Sequence, residues 1–310
     1  MVQMLSVLVL LAMSAAPGSD DAGVNRAIAF LAREVPRWSR ENQCYSCHNN
    51  GDAARALYTA KRLSFAVPAA ALADTTQWVA QPEQWGSNKG LPAFSDRGLA
   101  RIQFAASLTE AIDAGQVKDR AALVRAAESL LPDQLADGSW QKDSSATLGS
   151  PAAYGRFLAT YMARRTLEKS KSPRVREAIA RADAWFRQAK PAAVMEAAVQ
   201  ILALEDRGEE WRSSVEFLRE AQNPNGGWGP YRHAPSEAFD TALAVMALTA
   251  VKNRVPESAP WITRGRDWLL LAQLPSGAWT ETTRPAGAQS YAQHISTSGW
   301  ATLALLTTSR

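Results

Sequence analysis

Gln222-Asn223-Pro224-Asn225-Gly226-Gly227-Trp228 is one of three segments that read Gln-x-x-x-Gly-x-Trp; the others run from Gln134 to Trp140 (QLADGSW) and from Gln273 to Trp279 (QLPSGAW). Each separates two stretches with helical patterning. A shortened copy, Gln81-Pro82-Glu83-Gln84-Trp85, keeps the outer residues and loses the glycine, while Gln43 and Gln188 stand at equivalent corners without the rest of the motif. The six glutamines are separated by 38, 53, 54, 34 and 51 residues, the spacing of a two-helix repeat with loops of variable length. The residue types suit a structural corner: glycine for a tight turn, tryptophan to cover the end of a helix pair, and glutamine to bond loop backbone groups.

The stretches between corners alternate in character. The first helix of each pair carries apolar residues at helical spacing, as in Val24, Ile28 and Leu31 or Trp211, Val215 and Leu218, which predicts one buried stripe. The second helices, 52–65, 97–114, 152–167, 192–204, 237–251 and 294–307, are richer in small residues. Six such hairpins predict an all-α (α/α)6 toroid, with the small-residue helices lining the centre and the first helices packed outside.

The repeated motif, followed by Ser236-Glu237-Ala238-Phe239-Asp240-Thr241-Ala242, resembles the squalene–hopene cyclase and prenyltransferase superfamily of α/α toroids. The resemblance covers most of the chain after about residue 80. Protonating cyclases of that superfamily carry Asp-x-Asp-Asp-Thr-Ala here. In this chain Phe239 stands at the proton-donor position, and Glu237 and Asp240 are the carboxylates left at the mouth. The Asp-Asp-x-x-Asp cluster of diphosphate-ionising relatives does not occur, nor does the zinc set of the protein prenyltransferases.

A second signal points elsewhere. Gln43-Cys44-Tyr45-Ser46-Cys47-His48, within 43–50 and inside the first hairpin corner, holds both cysteines of the chain. C-x-x-C-H is the attachment signature of c-type haem, with Cys44 and Cys47 as thioether anchors and His48 as axial ligand. The other histidines, His233 and His294, belong to the fifth and sixth hairpins, which a closed ring brings back beside the first. His294, then His233, is the expected distal ligand. The leading expectation is therefore haem c serving electron transfer or redox sensing with a redox partner protein. A zinc site from Cys44, Cys47, His233 and His294 and a disulfide are alternatives, as is an enzyme of cyclase or prenyltransferase type acting on an apolar small molecule.

Residues 1–19 read as a signal peptide, from the apolar run Leu5 to Met13 and the small residues after it, with 20–310 as the toroid. The expected location is periplasmic or extracellular. That run is too short to span a membrane. Apolar residues make up 46% and charged residues 21% of the 310, which implies a sizeable core. The net charge of +4 comes from scattered arginines without interleaved aromatics, so a nucleic-acid surface is not expected.

Overall fold

The computed structural model describes residues 19–87, 97–140, 148–284 and 289–309; residues 1–18, which hold most of the expected signal peptide, lie outside that range. Twelve α-helices and no strand occur among the described residues. They are α1 (Ser19–Asn42), α2 (Ala54–Arg62), α3 (Ala73–Val79), α4 (Arg97–Asp113), α5 (Arg120–Leu130), α6 (Gly155–Ser170), α7 (Arg176–Gln188), α8 (Val194–Leu204), α9 (Arg212–Ala221), α10 (Ala238–Val251), α11 (Ala259–Leu271) and α12 (Tyr291–Thr307). None of them is long and apolar enough to cross a membrane.

The even-numbered helices form the inner ring. Each packs on the next, from α2 through α4, α6, α8 and α10 to α12, and α12 packs back on α2. The odd-numbered helices lie outside. The sequence explains the division. In α9 only Ser214, Val215, Leu218 and Ala221 are buried, a single stripe on one face, whereas 14 of the 17 residues of α4 are buried, so it has no solvent face. Small residues are what allow inner helices to be enclosed on all sides. The expected (α/α)6 toroid is thus the observed fold.

The Gln-x-x-x-Gly-x-Trp segments act between hairpins as well as within them. Trp140, Trp228 and Trp279 are fully buried, and their indole N–H groups donate to Leu130, Leu218 and Leu269, carbonyls at the ends of α5, α9 and α11. The glutamine amides donate forward, to Ala178 of α7 at 2.8 Å, Trp261 of α11 at 2.9 Å and Gly23 of α1 at 3.0 Å. Each motif therefore ties the last turn of one outer helix to the first turns of a following one, satisfying carbonyls that a helix end leaves open. The third tie joins α11 to α1 and closes the ring. Gly138, Gly226 and Gly277 have φ of +94°, +92° and +93°, and a Cβ on any of them would fall within 2.6 Å of the carbonyl oxygen of Arg181, Arg264 or Arg26. Glycine is needed there on both counts.

The degenerate corners are solved differently. Gln188 is exposed and takes no such role; Gln200, from inside α8, donates instead to Phe186 and Ala189 at 2.7 and 2.9 Å. Trp85 keeps the indole bond, to Trp78 at the end of α3. Gln43 bonds only within its own turn, to Arg40.

Two inner-helix starts differ from expectation by three residues. Ser290 caps α12, accepting from Gln293 N, so the helix begins at Tyr291 and takes in His294. At the third hairpin Tyr154 and Gly155 both have positive φ, which delays α6 to Gly155.

Candidate functional site

The first inner strut does not begin at Asp52 as an α-helix. It begins with a π-helical turn, Cys47–Ala53, capped by Ser46, whose hydroxyl accepts from His48 N and Asn49 N. The turn is wedged between α1, α4 and α12. Asn49 donates to the Glu34 carbonyl at 2.6 Å and the Tyr291 hydroxyl at 2.7 Å. Asn50 donates to Thr75 Oγ1 at 2.6 Å and accepts from Ser46 N at 2.9 Å. Gly51 lies so close to α4 that a Cβ would meet Gln103 Cβ at 3.0 Å. The residues after Cys47-His48 are thus accounted for by packing at the ring seam.

The three histidines do not converge. His48 Nδ1 lies 3.2 Å from Ser296 Oγ and its Nε2 lies 3.6 Å from Cys47 Sγ; burial pushes the imidazole down to about 4, so it is neutral. His294 lies two residues from Ser296 on α12, roughly 200° around the helix. It sits 3.3 Å from Glu281 Oε2, with its ring against the edge of Phe30. His233 is exposed in a loop, with φ of 66°. Cys44 is buried outside the turn. This donor set does not fit a bis-histidine haem, because both nitrogens of His48 face its own neighbours and neither other histidine stands across from it. Among the described residues no group of three or more His, Cys, Asp or Glu side chains could hold a metal ion.

The turn instead delivers Asp52 into the ring. Its carboxylate, 1% exposed, accepts hydrogen bonds from the Tyr154 hydroxyl and, at 3.0 Å, from Gln103 Nε2. Arg55 Nη1 stands 3.7 Å away. Burial pushes Asp52 up to about 6, opposed by Arg55 and by hydrogen bonds with Tyr154, Ser296 and Gln103. Around this group side chains from several inner struts meet. The Arg55 guanidinium lies 4.6 Å over the Trp300 ring, and Trp300 meets Tyr154 and Phe239 edge-on at 6.1 and 5.9 Å. Phe239, at the expected proton-donor position, is therefore an aromatic wall.

Asp240 and Glu237, the expected mouth carboxylates, are bridged by Arg284. Its Nη1 donates to Asp240 at 2.8 Å and to Glu237 at 3.2 Å, while its Nε donates to the Gly149 carbonyl at 3.1 Å. Asp240 is fully buried. Burial raises both carboxyls; the charge of Asp240 raises Glu237 further, and Arg284 opposes both shifts. Asp52, Tyr154 and Arg284 were missed from sequence. Asp52 and Arg55, three residues apart on a helix with no solvent face, were the legible signal for the first.

Residues 189–310 match the model of the squalene-hopene cyclase C-terminal domain. No curated protein matches this sequence. Among solved structures, the chain is similar to the type II terpene cyclase MstE from Scytonema, with TM-score 0.58 at 16% identity over 94% of this chain and 98% of that one. The fold is the terpene cyclase-like α/α toroid. A variant of MstE in complex with its substrate, geranylgeranyl dihydroxybenzoate, is similar at TM-score 0.55 and 15% identity, over 94% of this chain and 97% of that one. The toroid also resembles a possible GH105 family member from Salmonella enterica, with TM-score 0.58 at 12% identity over 99% of this chain and 98% of that one. These likenesses overturn the expected haem electron-transfer or redox-sensing role. The solved structures that this toroid resembles include a terpene cyclase in complex with its small-molecule substrate, and neither they nor the geometry at Cys44, Cys47 and His48 supports haem, iron or a redox partner.

Proposed function

We propose that this toroid is an enzyme of the terpene cyclase type that protonates an apolar, alkene-bearing isoprenoid, with Asp52 as the proton donor in place of the residue at Phe239. The observation that carries the reading is the setting of Asp52: burial raises its carboxyl to about 6, so that it holds a proton below that pH, while Tyr154, Gln103 and Arg55 stand ready for the charge left behind. The proton passes from the Asp52 carboxyl to one alkene carbon, leaving a carbocation on its neighbour. Tyr154, which bonds Asp52, and Trp300 and Phe239, which follow it through edge-on contacts, supply the aromatic rings of this group. The π pair of a second alkene in the chain attacks that carbocation, closing a carbon–carbon ring bond and carrying the positive charge onward; loss of a proton to water then regenerates an alkene, and the Asp52 carboxylate regains a proton from water. Asp240 and Glu237, held by Arg284, lie beside this aromatic group through Phe239, which Arg284 covers at 5.6 Å. Because Trp300 lies under Arg55 and against Tyr154, which bonds Asp52, entry of a substrate chain beside Asp52 is expected to change tryptophan fluorescence.

The test is turnover of geranylgeranyl-type polyenes, read by mass spectrometry and NMR of the products. Wild type is expected to give isomeric cyclic products, and Asp52→Asn to lose at least about a hundredfold in rate, the usual range for a proton-transfer group. Asp240→Asn is expected to lose less. Equal product formation by wild type and Asp52→Asn would remove Asp52 from the role. No product from wild type would remove the reading itself.

A further inference from the structure

A cavity lies between the start of α10, the end of α11 and the segment that follows Trp279. It has a volume of about 230 Å³ and is lined by Ser236, Glu237, Ala238, Trp268, Ala272, Trp279, Thr280, Glu281 and Thr282. Two of these are carboxylates and none is basic. Glu281 has His294 as its ion-pair partner, at 3.3 Å, and His294 adds positive charge only when protonated. On the other side, the single guanidinium of Arg284 is shared between Glu237 and Asp240. Acidic groups therefore outnumber permanent cations around the cavity. Trp268, half-buried, forms one wall, and Trp279 closes the floor with its indole N–H turned away to Leu269. The Thr282 hydroxyl, on a residue 2% exposed, lies near Glu237 but outside hydrogen-bonding geometry, a buried polar atom with no hydrogen-bond partner in the protein.

Each feature selects the same kind of ligand. Carboxylates in a half-closed site of low dielectric reject anions and favour cations. An aromatic wall favours an organic cation over a hydrated metal ion, and too few carboxylates and imidazoles converge there for a metal cage. The volume suits a molecule of a few heavy atoms. We propose that this cavity binds a small organic ammonium compound between Trp268 and the carboxylates of Glu237 and Glu281, with the Thr282 hydroxyl accepting from a protonated amine or hydroxyl on the ligand. The site shares only Glu237 with the proposed catalytic group, and its occupancy does not depend on polyene chemistry.

The experiment is titration of the full chain with choline, read by calorimetry and tryptophan fluorescence at constant ionic strength. The neutral isostere 3,3-dimethylbutan-1-ol is titrated alongside. Wild type is expected to bind choline saturably and the isostere at least tenfold more weakly. Glu281→Gln and Trp268→Leu are each expected to weaken choline binding by about tenfold, a change in keeping with loss of one charge or one aromatic face. Circular dichroism melts show whether each variant is folded, and Glu281→Gln removes charge without changing volume. Three results would overturn the proposal: no saturable choline binding, equal binding of the isostere, or unchanged affinity in folded Glu281→Gln. Failure of polyene turnover leaves this result untouched, so the two readings fail separately.

Discussion

Asp52→Asn is expected to gain about 3 kcal/mol of stability relative to wild type as the pH rises from about 4 to above 6, and His48→Gln to show a pH dependence of the opposite sign. The native Asp52 carboxyl is raised from 3.8 to about 6. Between those values the folded chain holds a proton that the unfolded chain releases, so wild-type stability falls as pH rises through the window, and the full cost is present above it. A shift of about two units corresponds to about 3 kcal/mol. His48 is lowered from 6.5 to about 4. There the unfolded chain takes up a proton that the folded chain refuses, so stability falls as pH falls, by about 2 kcal/mol after allowance for its partial exposure. In wild type the two slopes run against each other over nearly the same interval. Removing Asp52 exposes the histidine's slope, and removing His48 exposes the carboxylate's. Urea midpoints at pH 4 and pH 7 for wild type and both variants decide the matter. Variants whose difference from wild type is the same at both pH values would show that neither group titrates as its burial dictates.

Gly277→Ala is expected to cost about 3 kcal/mol and to lower the melting temperature by roughly 5 °C, since strain at a positive φ and a backbone clash add in one residue. The new Cβ would lie 2.2 Å from the Arg26 carbonyl oxygen. That carbonyl belongs to α1, so the substitution strikes at the joint between the last outer helix and the first. Gln273 supports the same joint through Gly23 and Gly277, and through Arg26, which donates to Gln273 Oε1 at 2.7 Å. Gly86→Ala is the matched control, because nothing lies within 4 Å of a Cβ there and its φ is ordinary. Thermal melts in which both variants matched wild type would mean that the seam does not bear on stability.

The toroid was legible because its signal is local and repeated. Helical spacing and a seven-residue corner recur often enough to show six hairpins, and the glycine of each full motif marks a tight turn. What the corner does was less legible, since Ala178, Trp261 and Gly23 are partners only after the chain has closed on itself. The site failed for a different reason. Cys44-x-x-Cys47-His48 is specific as a string, but the string is silent about direction. Ser46 draws the backbone into a π turn, and that turn points His48 at Ser296 and sends Asp52 inward. Asp52 was read as an end-of-helix residue because its partners lie 51 and 102 positions away. Asp240 and Glu237 were visible through the motif they share with a known family, whereas Arg284, which holds them, lies in a segment with no pattern.

The tie from Gln273 to Gly23 is made of the same bonds as the ties from Gln134 to Ala178 and from Gln222 to Trp261. Neighbouring outer helices are therefore joined alike whether the polypeptide runs on between them or breaks there. Order around the circle and order along the gene product are separate properties of this fold. A circularly permuted chain, with a linker from α12 to α1 and new ends placed between α2 and α3, would lose no bond of this kind.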